Sequence, residues 1–463
     1  MLQLIALCES TVWPHAFSMS ASLAPTSQDP SFAELLARRS MLRMDASAGL
    51  CVEEVPLARL AQAAGTPTWV YSAATLTRRA RSLCGALGAA SLNTQVHFAV
   101  KANPNLAVLA LLGREGLGAD IVSEGELRAA RAAGIAASHI VFSGVGKTER
   151  ELRLAIAEDI AQVNLESAEE AEMLSALAVS LGRTMRVALR VNPDVDARTH
   201  VKITTGRSEN KFGVDIGLAP ALYARLCTLP GLEPVGLAVH IGSQITHGVG
   251  AFAAAYRRLG ELVVALRAQG LPVRRVDCGG GLGIAYRDEA PASPEALAGA
   301  IAAGLGNLGL ELMLEPGRWI CGPAGVLLAR VVIQKQGTAR RFVIIDAAMN
   351  DLLRPAMYDS WHGIVPVSPA AYVAATAPAD VVGPVCESSD TFTVGRALPD
   401  LPGGSLVAIL DAGAYGASMS STYNSRPLAA EILVNGAEWS VVRDRQGFDA
   451  LLAGSHIPDW VRA

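Results

Sequence analysis

The sequence predicts an α/β chain with an all-β end: a (β/α)8 barrel followed by a C-terminal β-sandwich or β-barrel-like domain. From residue 95 onward, short β-branched runs alternate with Ala- and Leu-rich helical stretches, and eight such runs occur in series. After Pro316 the pattern changes to strands without intervening helices. The 463 residues are 51% hydrophobic and 18% charged, enough to bury large cores. At about 150 residues per domain that length suggests two or three domains, and two unequal ones fit the pattern best.

The predicted barrel strands are 96–101, 118–123, 139–143, 162–166, 186–191, 236–241, 274–278 and 311–315. Between them, segments such as GELRAARAAG and ESAEEAEMLSALAVSLG repeat apolar residues at three- and four-residue steps, as amphipathic helices do. Eight βα units without a second sheet's worth of strands favour a closed barrel over an open doubly wound sheet. The barrel is placed at 71–324 and the β domain at 325–463. Within the latter, Asn435-Gly436 between apolar runs signals a hairpin. Residues 45–70 lead into the strand-like TPTWVYS, which needs a sheet to join and is expected to pack on the β domain. Residues 1–44 are expected to form a disordered extension, with order beginning near Met41. The opening MLQLIALCESTVW lacks the basic region and long apolar run of a signal peptide.

Composition excludes several classes. Lys plus Arg number 39 against 43 Asp plus Glu, a net charge of −4, and no basic run suited to nucleic acid appears. No stretch approaches the ~18 apolar residues of a membrane span. Seven scattered cysteines with no CxxC pair argue against a disulfide framework or a zinc site, so no metal is expected and a reducing cytoplasm is the simplest home.

Barrel enzymes carry their chemistry at the carboxyl ends of the strands. Lys101 closes the first predicted strand in HFAVKANPN, where partial burial would lower its pKa and favour Schiff-base chemistry. A lone strand-end lysine more often snorkels to water. Here, however, DCGGGLG with Gly280 and Gly281 follows the seventh strand, and EPGR with Glu315, Gly317 and Arg318 follows the eighth. Those loops are the usual phosphate site of a barrel; taken alone, a glycine triplet is as easily a structural turn. Glu315 could hold a proton on a heteroaromatic nitrogen and Arg318 could grip an anion, unless the two form a structural ion pair. In HIGSQ, His240 could stack on a flat cofactor and Ser243 could bond its phosphate, against the commoner case of a satisfied core histidine. Lysine, glycine loop and ring-facing carboxylate together make the protein half of a pyridoxal phosphate site.

FAVKAN (98–103), GADIVSEGEL (118–127), TGRSENKFG (205–213), HIGSQ (240–244), GGGLG (279–283), EPGR (315–318), MNDLLRPAMYD (349–359), CESSDTF (386–392) and GAYGASMSSTYNSRP (413–427) occur in that order. With these motifs the chain resembles the fold-type III pyridoxal phosphate decarboxylases, and within them the diaminopimelate decarboxylase branch, from about Leu50 to beyond residue 440. The resemblance implies that Lys101 carries the cofactor and that Asp120, His240, Ser243, Gly280, Gly281, Glu315, Gly317, Arg318 and Tyr415 hold it. It implies that Arg318, Arg354, Tyr358, Glu387 and Tyr415 contact substrate. It also implies a homodimer in which Cys386, the proton donor, and Glu387 enter the site from the other subunit. A distal arginine suits a substrate with a second carboxylate, meso-diaminopimelate giving L-lysine, better than ornithine or lysine. Ser389, Ala348 and Trp361 depart from the family's usual residues. The rival readings are a decarboxylase of this fold for carboxynorspermidine, ornithine, arginine or lysine, a catalytically dead partner-binding homologue, and an amino-acid racemase.

Overall fold

The computed structural model describes residues 29–197 and 211–462. Eight parallel strands close a barrel in sequence order: Thr94–Ala99, Gly118–Ile121, Ile140–Phe142, Gln162–Leu165, Met185–Asn192, Leu232–Ala238, Arg275–Asp277 and Glu311–Leu314. The last pairs back onto the first through Leu312 and Thr94. Each overlaps its predicted run, with one consequential difference. The first strand stops at Ala99, and Lys101 lies in the 3-10 turn Val100–Ala102, where the Asn103 N–H donates to the Val100 carbonyl. The lysine is therefore on a turn over the barrel mouth and not in the pleat.

Local chemistry starts the helices that follow. The side chains of Asn105, Ser123, Thr148, Ser167 and Ser293 each accept from a backbone N–H in the first turn of the following helix. Residues two apart on a strand share a face. Gln162 with Asn164, and Arg275 with Asp277, accordingly meet across the barrel interior. The sixth strand can approach the seventh only because residue 236 is glycine, since a Cβ there would stand 1.8 Å from the Arg275 carbonyl oxygen.

The β domain is built on the long strand Gly325–Gln336, which pairs antiparallel with Arg341–Ile345, with Leu406–Ile409 and with Thr68–Ser72. Ala430–Asn435 then adds parallel to Thr68–Ser72 and turns at Gly436 into Glu438–Arg443, the hairpin the Asn-Gly pair signals. The strand Thr68–Ser72 joins the two bodies by its alternation: Trp69 and Tyr71 pack into the barrel-side core, while Val70 packs into the cluster of Leu50, Leu57, Leu328 and Ile432.

Order begins earlier than the sequence suggested. Residues 1–28 lie outside the described residues, but Phe32–Ala37 is a helix with a capping box between Ser31 and Glu34. Behind it, Arg39 is buried against Asp411 and also donates to the carbonyls of Leu35 and Tyr286. At six residues the helix is too short for its periodicity to show in the sequence; tertiary pairing makes it. No described helix is long and apolar enough to cross a membrane.

Arg39→Met should leave Asp411 buried without this partner and cost about 3 kcal/mol. Arg43→Met breaks only an exposed pair with Asp45 and should cost under about 1 kcal/mol. Urea midpoints of the two variants should differ accordingly; equal shifts would show that the buried pair does not anchor the segment.

Candidate active site

At the carboxyl end of the barrel a cavity of about 350 Å³ is lined by Lys101, Ser143, Asn164, Arg190, His240, Asp277 and Glu315, among others. The Lys101 ammonium is paired with Asp120, which lies one residue before the end of the second strand and is fully buried. Burial would lower the lysine's pKa, as the sequence suggested. Attraction from Asp120, Glu315 and Tyr415 outweighs it, so the pKa lies above its usual value and the amine is charged at rest. The expected depression is thus corrected: three anionic or polar neighbours, absent from a one-dimensional reading, reverse its sign.

Glu315 and Asp277 stand side by side. Burial, then repulsion from Asp120 and from each other, raises the proton affinity of Glu315 well above the carboxylate range. Burial also raises Asp277, but hydrogen bonding with Glu315, with Asn164 Nδ2 at 2.9 Å and with the Gly279 N–H at 2.9 Å opposes that rise. Burial and mutual repulsion favour a shared proton on the pair, and the donors to Asp277 favour its placing on Glu315, whose Oε1 also accepts from Ser143 Oγ at 3.0 Å. His240 lines the same cavity. Its Nδ1 accepts from the Gly280 N–H at 3.1 Å, and burial, followed by Arg190 and Lys101, keeps the ring neutral.

Next to this acidic mouth lie two buried arginines. Arg318 donates to Tyr286 Oη at 2.8 Å and to Ser243 Oγ at 3.1 Å and lies over the Tyr415 ring. Arg354, at the start of the short helix Arg354–Tyr358, packs over the Tyr286 ring, donates to Ser360 at 3.1 Å and is 2.8 Å from His362 Nε2. His362 is neutral through burial and turns its Nδ1 to the Leu410 carbonyl, so Nε2 accepts from the arginine. Neither guanidinium faces a carboxylate among the described residues. Two buried cations without counter-charges make a site for an anionic ligand.

The glycines fit a backbone that must come close. A Cβ on Gly280 would meet the Glu315 carbonyl oxygen at 2.2 Å, and one on Gly281, at φ +107°, the Gly242 oxygen at 2.4 Å. One on Gly317 would press on Ala102 at 2.9 Å, beside the Lys101 turn, to which the Tyr415 N–H is also bonded at 2.8 Å. Asp120 Oδ1 and Arg318 Nε are buried with no hydrogen-bond partner among the described residues. A lysine amine, a buried carboxyl with a raised proton affinity, a glycine loop and orphaned polar atoms of both signs fit pyridoxal phosphate. Lys101, Glu315 and the Gly279–Gly281 loop with Arg318 would hold its aldehyde, ring and phosphate ends.

Cys386 and Glu387 do not line this cavity. Both are exposed, and Glu387 accepts from Tyr423 Oη at 2.6 Å. Tyr358 ends the Arg354 helix and is partly buried. Residues 205–210 of the TGRSENKFG motif lie outside the described residues. Trp361 and Ser389 line a separate cavity of about 530 Å³, so these two departures do not touch the Lys101 cavity. Asp277, Ser143, Asn164, Arg190, Tyr286 and His362 were not singled out from the sequence. Four of them were visible as polar residues inside or closing apolar strand runs, the signal that marked Glu315.

Residues 73–322 match the family model described as pyridoxal-dependent decarboxylase, pyridoxal binding domain. The chain is 47% identical over 415 residues to the diaminopimelate decarboxylase of Zymomonas mobilis, covering 89% of this chain and 98% of that one. It is 46% identical to that of Vibrio cholerae, covering 87% and 96%. Among solved structures, diaminopimelate decarboxylase from Helicobacter pylori complexed with L-lysine superposes with a TM-score of 0.82 at 38% identity, covering 86% and 98%. That from M. jannaschii, also with L-lysine, gives 0.86 at 33%, covering 91% and 99%.

Gly280→Ala should push the glycine loop off the Glu315 backbone and weaken retention of pyridoxal phosphate at least tenfold, about 1.4 kcal/mol. Equilibrium dialysis monitored by cofactor absorbance would measure it. Retention equal to that of the parent would remove the loop from the cofactor site.

Proposed function

The chain belongs to the pyridoxal-dependent decarboxylases, and from that membership we propose how its own residues divide the decarboxylation of meso-2,6-diaminopimelate to L-lysine and carbon dioxide, the last step of lysine biosynthesis. It is a pyridoxal phosphate-dependent carboxy-lyase. The observation that carries the assignment is the placing of two uncompensated buried arginines beside a lysine–carboxylate mouth.

Pyridoxal phosphate, when bound, supplies a protonated ring that accepts the electrons left as the Cα–carboxylate bond breaks. Lys101 is the amine that would carry it, and Asp120 holds that amine in place at the cavity mouth. Glu315 keeps a proton available at the ring nitrogen. His240 closes one face of the cavity. Arg318 and Arg354 orient anionic groups, and Tyr358 and Tyr415 complete the walls around them.

Substrate choice follows from charge. Meso-diaminopimelate carries a carboxylate and an ammonium at its far end, which Arg354 and Glu387 complement. Ornithine or lysine would leave Arg354 buried and unpaired, a cost of several kcal/mol. Cys386 delivers the proton that Cα needs once carbon dioxide has left. In keeping with the family resemblance, we assign the exposed Cys386 and Glu387 to the site of a second copy, making a homodimer with composite sites. We place the enzyme in the cytoplasm, where its cysteines stay reduced.

Carbon dioxide release should be seen from meso-diaminopimelate and be at least 100-fold lower from lysine, ornithine or arginine, while Arg354→Met should narrow that gap. Preference for any monocarboxylate would overturn the substrate. Lys101→Ala and Cys386→Ala subunits, each inactive alone, should regain activity when mixed under conditions of subunit exchange, because one of the two hybrid sites is intact. No recovery despite exchange detected by mass would rule out the shared site.

A further inference from the structure

A second feature of the barrel is not needed to hold cofactor or substrate. Its axis, which is apolar in an ordinary barrel, carries a continuous line of buried polar side chains. At the amino-terminal rim Arg275 is paired with Glu311 and donates from Nη1 to Gln162 Oε1 at 3.2 Å. Gln162 Nε2 donates to Asn164 Oδ1 at 2.7 Å. Asn164 Nδ2 donates to Asp277 Oδ2 at 2.9 Å and to Ser143 Oγ at 3.0 Å, and Ser143 donates to Glu315. Gln162, Asn164 and Asp277 are at most 2% exposed.

Burying two side-chain amides where Val or Leu would pack costs stability unless every donor and acceptor is matched. The line has one direction only. A guanidinium can donate and never accept, so Gln162 must turn its oxygen to Arg275 and its NH2 to Asn164. Asn164 must then turn its oxygen back and present its NH2 to the mouth. There it meets the carboxylate pair, and the short bond falls on Asp277, at 2.9 Å against 3.5 Å to Glu315 Oε1; Asp277 also receives the Gly279 N–H.

We propose that Arg275, Gln162 and Asn164 form an orienting relay that keeps Asp277 ionised and thereby keeps the pair's proton on the Glu315 side, where the cofactor ring nitrogen needs it. Gln162 and Arg275 are positioning residues that act only through Asn164. The inference rests on the pyridoxal phosphate reading of this site. The charged and titratable groups facing the pair are Asp120 from the second strand, Lys101 from the turn after the first, His240 after the sixth and Cys278 after the seventh, with Arg190 on the fifth and Tyr256 on the helix Gly250–Ala268. None of them bonds Gln162 or Asn164 directly among the described contacts. If the relay is cut, Asp277 takes up a proton of its own. One negative charge near the ring is lost, and the ring nitrogen's proton affinity falls.

The test uses holoenzyme loaded with pyridoxal phosphate labelled with 15N in the ring, whose nitrogen shift reports directly whether that atom is protonated. Asn164→Leu should lower the pH midpoint for loss of the ring proton by one unit or more, a tenfold change in proton affinity. Gln162→Leu and Arg275→Met should lower it by less and in the same direction. In the Asn164→Leu background Gln162→Leu should add nothing, because its effect runs through Asn164. Arg275→Met, changed at the solvent-side rim, keeps the test open if an interior variant does not fold. An unmoved midpoint in Asn164→Leu, or in Arg275→Met should Asn164→Leu not fold, would overturn the relay, as would additive shifts from Gln162 and Asn164. Failure of the parent to bind the labelled cofactor would instead overturn the site reading itself.

Discussion

Three carboxylates crowded into a desolvated barrel mouth are the constraint around which the rest of the structure is arranged. Asp120, Asp277 and Glu315 are each at most 7% exposed, and three bare anions so placed would cost many kcal/mol. The protein settles the cost in two ways. Lys101 neutralises Asp120, and Asp277 shares a proton with Glu315 while collecting fixed donors from Asn164 and Gly279. The result is a site with one net negative charge that is strongly polarised, with a proton and a charged amine both held in place. Such a field is organised before any ligand arrives, so little reorganisation is left for the reaction itself.

The excess charge of the opposite sign sits next door, on Arg318 and Arg354. Their packing explains why the β domain belongs to the active site. Arg354 comes from that domain, Arg318 from the loop after the last barrel strand, and both use Tyr286 from a barrel loop as a common surface. His362 and Leu410 hold Arg354 from behind. The strand Thr68–Ser72 keeps the two bodies in register, since its opposite faces belong to different cores. Arg39, bonded at once to Asp411 and to the Tyr286 carbonyl, ties the first helix to the same junction. Electrostatic precision between domains is thus secured by ordinary hydrophobic alternation.

Much of this was legible in the sequence because it is periodic or punctuated. All eight barrel strands, the Asn-Gly hairpin and the glycine loop follow from alternation, β-branching and turn chemistry. What escaped depended on three-dimensional neighbours. The direction of the Lys101 pKa could not be read from burial alone, because Asp120 is 19 residues away in sequence and Glu315 is far beyond it. The end of the first strand was misjudged by two residues because a 3-10 turn continues its apolar run. The helix at Phe32–Ala37 has too few residues to announce itself. Asp277, Asn164 and Gln162 each stood as one polar residue within a strand run, and only closure of the barrel shows that they face one another.

That polar line along the axis also bears on why the fold tolerates it. A barrel interior of Leu and Val would be simpler and more stable, and matched amides at best recover what their burial costs. Their return is directional: an apolar layer cannot tell Asp277 from Glu315, whereas an amide whose orientation is fixed from the far rim can. Two chemically similar carboxyls, both bonded to Asn164 or within 3.5 Å of it, are thereby given different charges. The distinction originates at a guanidinium that no ligand touches. On this proposal, binding energy and proton placement are set by different parts of the molecule, the first by the arginines and glycines at the mouth, the second by the interior of the barrel.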